Sequence, residues 1–153
     1  MTRARTAVPH LLLVVFVAAG GYVHLREWFD HYRFLPSGVP GAAVVKVGFP
    51  ADAAVSGVLA IVLTAVACDL LSRRIATTAV VATAVFELAS LAALIRTRTG
   101  SLFGWSEQVW TPGADQSRAV EIGALLAVAA IGVLGRVPGR SAARAPVATT
   151  PGV

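Results

Sequence analysis

Four ionisable side chains, His24, Asp52, Glu87 and Glu121, fall within or beside long apolar runs, where a charge has no water around it. Glu87 lies near the middle of residues 76–95, a stretch with neither Gly nor Pro. At about 1.5 Å of rise per residue such a helix covers roughly 30 Å, the thickness of the hydrocarbon core of a bilayer. An acid at that depth costs on the order of 2.5–3.5 kcal/mol if it stays charged and faces lipid. Glu87 is therefore predicted to face protein, take a partner or keep its proton. Carboxylates and an imidazole in such surroundings can hold or pass a proton, or receive the polar head of a lipophilic molecule. They can equally fix helix packing through hydrogen bonds of about 0.6–2 kcal/mol each.

Other chemistry finds less support. The chain has one cysteine, Cys68, so it cannot build an intramolecular disulfide or a multi-cysteine metal site alone. His24, Asp30 and His31 lack the spacing of a metal motif. His10 and His24 stand roughly 21 Å apart at helical rise, too far to share one iron. Neither Cys68 nor any serine sits in a nucleophile motif, so no catalytic residue, metal or cofactor is assigned.

Positioning the four groups takes four spans. The 153 residues are 56% hydrophobic and 14% charged, with a mean hydropathy of +0.74, too apolar for an ordinary soluble domain. Spans are predicted at about 8–28, 51–71, 76–95 and 116–134, in one transmembrane domain over 1–135 followed by a disordered basic tail at 136–153. The opening, with Arg3 and Arg5 before an apolar run, also fits a secretory signal peptide; apolar character continuing through Val23 favours a span.

Residues 35–50 hold three prolines and three glycines and read as a loop, with a short extended piece at 42–47. On that reading Asp52, just after Pro50, caps the second span. At the far end Asp69 and Arg73 are spaced for an ion pair along a helix. Thr83, Glu87, Ser90 and Leu94 form one stripe on the third span. Asp115 to Ser117 read as the cap of the fourth, where Glu121 shares a face with Arg118. Small residues at Ala53, Gly57 and Ala60, and at Ala119, Gly123 and Ala127, mark faces for close helix contact. Trp28, Tyr32, Trp105 and Trp110 read as interfacial anchors.

The 72–75 connection can only turn the chain, which predicts an all-α, up-down-up-down four-helix bundle. Seven Lys and Arg fall on the side of the termini and six on the other, favouring a plasma (inner) membrane protein with both termini cytoplasmic. The four ionisable groups then lie in the outer half, one per helix.

In its order of elements the chain resembles uncharacterised four-span membrane proteins of high-GC bacteria and, more remotely, the DoxX-like group of small four-helix membrane proteins. The likeness rests on His24 with the aromatic-acid-Tyr-Arg run closing the first span, the Pro-Gly loop, the Phe103-Gly104-Trp105-Ser106-Glu107 segment, and Glu121 early in the fourth span. It implies a four-helix bundle associated with a redox or envelope complex, and no catalytic residue.

Two functions follow. One is an accessory or scaffold subunit, working through helix packing and the outer loops. The other is a pocket protein that binds a small lipophilic or protonatable, quinone-like ligand at His24, Asp52, Glu87 and Glu121. The expected partners are the lipid bilayer and other membrane proteins or a second copy. Nucleic acid is not among them, because the basic residues never form a block.

Overall fold

In hydrocarbon a backbone has no water to bond, so long apolar runs settle as helices that satisfy their own amides. The computed structural model describes residues 2–136, with side chains from 7 to 135; the tail read above lies, beyond its first residue, outside the described residues. Four helices follow one another: α1 (Thr2–Asp30), α2 (Ala42–Ala67), α3 (Arg73–Thr99) and α4 (Pro112–Arg136), with a 3₁₀ turn at Tyr32–Phe34. Each is long and apolar enough to cross a membrane, which makes this a multi-pass membrane protein.

The fold is an up-down-up-down bundle. α1 packs closely on α2 and α4, α3 packs on α4 and more loosely on α2, and among the described residues the backbones of the diagonal pairs do not approach closely. The connections 31–41 and 100–111 meet at one end, where Gly41 backs onto Trp105. The opposite end carries the 68–72 turn.

Lipid is as apolar as leucine, so close approach and polar bonds hold such helices together rather than a hydrophobic drive. Gly21 lets α1 approach α2: a Cβ there would stand 2.8 Å from the Ser56 Cβ. Gly123 gives up its side-chain space to the Phe16 ring, which a Cβ would meet at 2.6 Å. Gly57, expected on a packing face, has open space beside it. Leu13, Val17, Leu63, Val66, Ala79, Ala124 and Ala127 form a core in the half of the bundle away from the loops.

The largest departure from the sequence reading is the start of α2, at Ala42 rather than near residue 51. Pro50 lies inside the helix instead of preceding it. It has no N–H to give Lys46 O, four residues back. The Trp28 indole takes that role, donating to Lys46 O at 2.9 Å. Trp28→Phe removes only this donor and is expected to cost about 1–2 kcal/mol. In a Pro50→Ala background, where residue 50 regains its own N–H, the same change should cost much less. The midpoint of detergent-induced unfolding reads both; equal penalties would show that the indole does not replace the missing amide.

Two smaller corrections concern helix ends. Thr111, not residues 115–117, caps α4: its hydroxyl accepts from Ala114 N at 3.1 Å, with Pro112 in the first helical position. α2 stops at Ala67, and Asp69 takes a left-handed φ of 57° while Leu70 N–H returns to Ala65 O at 2.9 Å. The chain is thus non-helical between Asp69 and Arg73, and their expected helical ion pair does not form.

Candidate binding site within the bundle

Each helix brings one polar side chain to a common level in the half nearer the loops. The His24 Nδ1 of α1 lies 2.6 Å from Asp52 Oδ1 of α2, an ion-pair distance but off the line of an aligned hydrogen bond. The His24 Nε2 is 3.8 Å from Glu121 Oε1 of α4. From α3, the Ser90 hydroxyl reaches Glu121 Oε1 at 2.7 Å and Asp52 Oδ2 at 3.3 Å. Imidazole, two carboxylates and hydroxyl therefore close a ring through all four helices. Ser56 adds a weaker contact to Asp52 at 3.4 Å.

A hydroxyl has one proton, so Ser90 can donate to only one of the carboxylates at a time. The other contact becomes a hydrogen bond only if that carboxyl carries a proton of its own. The arrangement can thus hold a proton and pass it between Asp52 and Glu121.

Asp52 does not cap its helix. With α2 starting at Ala42, Asp52 lies well inside it and faces His24. Glu121 is also released from its expected neighbour, because Arg118 pairs with Asp115 at 2.9 Å. Glu87 is only 4% exposed, as its inward stripe predicts, but sits one turn deeper than Ser90 and does not line the cavity. It remains within coulombic range of Glu121, Asp52 and His24. Thr83, on the same stripe, donates to Ala79 O of its own helix at 2.9 Å.

Above the ring, toward the loops, a cavity of about 200 Å³ opens. Its walls include Tyr32, Phe49 and Trp105, with Phe49 centred 4.3 Å from the Tyr32 ring and 5.2 Å from the His24 ring. Trp105 meets Tyr32 edge-on at 5.8 Å. Tyr32, expected as an anchor pointing to headgroups, is 7% exposed and donates inward to Glu107 Oε2 at 2.6 Å. Arg98 holds the same carboxylate at 2.9 Å and the Glu107 carbonyl at 2.5 Å. Trp110 stays outside and half exposed, with the Arg118 guanidinium 4.7 Å from its ring centre. Trp28 is partly buried, its indole committed to Lys46 O.

Sequence reasoning missed the Tyr32, Arg98 and Glu107 trio, although Glu107 closes the segment singled out for resemblance. It also missed Glu27, whose carboxylate occupies the space a Gly113 side chain would fill, at the amino end of α4. Among the described residues no group of three His, Cys, Asp or Glu could hold a metal ion. No family model, curated protein or solved structure gives a significant match to the chain.

Proposed function

We propose that this is a membrane pocket protein that takes up a small lipophilic molecule with a polar, proton-exchanging head. The head sits against His24, Asp52, Ser90 and Glu121. One observation carries this reading: the four-helix ring opens onto a cavity instead of being packed dry. Hydrogen bonds needed only to set helix register would do better in close packing, since a void forfeits van der Waals contacts. Glu87 serves the ring as a further proton holder from below. We place the site in the outer leaflet of the plasma membrane with both termini cytoplasmic, on the strength of the seven-to-six Lys and Arg distribution.

The test is purification from native membranes followed by identification of co-purifying lipophilic molecules. Ala93→Phe puts a ring into the cavity wall, so the molecule found with the native chain should be lost while the helices remain. An identical set of molecules from both chains would refute the pocket.

A second reading, an accessory subunit of a membrane complex, is favoured by the exposed side chains of the loop end. Phe34, Phe103 and Val109 all project there, Phe103 at 80% exposure on a tight Leu102 to Trp105 turn. The likeness to the DoxX-like group supports the same reading. Its signature in the same experiment is a stoichiometric partner protein that Phe103→Ser releases.

A further inference from the structure

The charge on the cavity walls is unbalanced, and the imbalance names a ligand class. Glu27 is paired with Arg26 at 3.0 Å and Glu107 with Arg98 at 2.9 Å. Asp52 and Glu121 remain, sharing one imidazole, with Glu87 adding a third carboxyl from below. Even a fully protonated His24 matches only one of the three. Glu121 carries the independent sign of an occupant: it lines the cavity, is 2% exposed, and its Oε2 has no hydrogen-bond partner among the described residues. A buried carboxylate oxygen without a hydrogen-bond partner is costly unless something comes to meet it.

The remaining walls suit the same occupant. The Tyr32 hydroxyl is committed to Glu107, so Tyr32 offers its ring, together with those of Phe49 and Trp105. Aromatic faces attract cations through their quadrupoles, more strongly where water is excluded. An anion would add to the excess charge, a neutral molecule would leave it, and a cation removes it. The cavity, at about 200 Å³, is smaller than a drug-sized site and admits one ring with a short side chain.

We infer that the occupant is a small lipophilic monocation, an arylalkylammonium or quaternary ammonium, with its charge against Glu121 and Asp52 and its apolar body among Phe49, Tyr32 and Trp105. This rests on the pocket reading and specifies its ligand.

Calorimetry on the full chain in lipid nanodiscs tests it with three probes: benzyltrimethylammonium, its uncharged carbon isostere neopentylbenzene, and benzenesulfonate. The cation should bind roughly tenfold or more tighter than the isostere, and the sulfonate should not bind. Glu121→Gln should cut the cation's affinity about tenfold or more and change the isostere's little. Phe49→Leu keeps every charge and should also weaken the cation selectively, which covers the case of a Glu121 variant that fails to fold. Equal affinity for cation and isostere, or preference for the sulfonate, overturns the cation assignment and leaves the pocket standing. Binding of none of the three also overturns it. The pocket itself falls on a different result, Ala93→Phe leaving the co-purifying molecules unchanged.

Discussion

Glu107→Ala is expected to destabilise the bundle by about 3–5 kcal/mol, because it strands a buried guanidinium. The Arg98 side chain is 4% exposed; it reaches the Glu107 carboxylate at 2.9 Å, while its Nε has no hydrogen-bond partner among the described residues. With the carboxylate gone, the partners left to that charge among the described residues are the residue 107 carbonyl and the Trp110 ring, 5.7 Å away. Tyr32 loses its acceptor in the same step. Removing both charges is a different experiment: the pair Arg98→Met and Glu107→Leu should recover most of the loss, since a desolvated ion pair contributes little over a well-packed apolar pair. Unfolding midpoints of the two single variants and the double variant in mixed micelles measure this. A loss below about 1 kcal/mol for Glu107→Ala, the level of an exposed pair, would mean that Arg98 finds water in place of its partner.

Gly41→Ala should be nearly as damaging, at about 2–5 kcal/mol, for two additive reasons. Residue 41 has a φ of +72°, which a Cβ disfavours, and the added carbon would collide with the backbone of Trp105, which cannot rotate away. The 31–41 and 100–111 connections would have to part, exposing Trp105 and opening the cavity roof. Iodide quenching of tryptophan fluorescence should rise together with the fall in unfolding midpoint. Gly38→Ala, with nothing within 4 Å, is the control and should stay within about 0.5 kcal/mol of the native chain. Equal behaviour of the two variants would contradict the contact between the loops.

The bundle was legible in the sequence because its signals are local: run length, the polar stripe through Glu87 and Ser90, and turns too short for anything but reversal. The level shared by His24, Asp52 and Glu121 was legible too, since it follows from helical rise and alternating direction. What was hidden depends on contacts between distant segments. Pro50 reads as a helix breaker, and only the indole of Trp28, on another helix, makes its place inside α2 acceptable. Misplacing that start turned Asp52 into a cap. Arg98 and Glu107 look like ordinary span-end and loop charges until the chain folds back, when Glu107 N–H bonds Thr97 O at 3.0 Å and brings its carboxylate over the helix end. Glu87 shows the limit of periodicity: a stripe gives the face but not which member reaches the cavity.

The central claim is that all four helices converge on His24, and it can be measured without any ligand. The His24 Nδ1 lies 2.6 Å from Asp52 Oδ1, a separation short enough to be read directly. Rotational-echo solid-state NMR on protein in bilayers, with ¹⁵N in every histidine ring and ¹³C in every aspartate carboxyl, reads that proximity directly. Strong dipolar dephasing should appear at the His24 imidazole and vanish in Asp52→Asn. Absence of dephasing in the native chain, or its survival in the variant, would contradict the site.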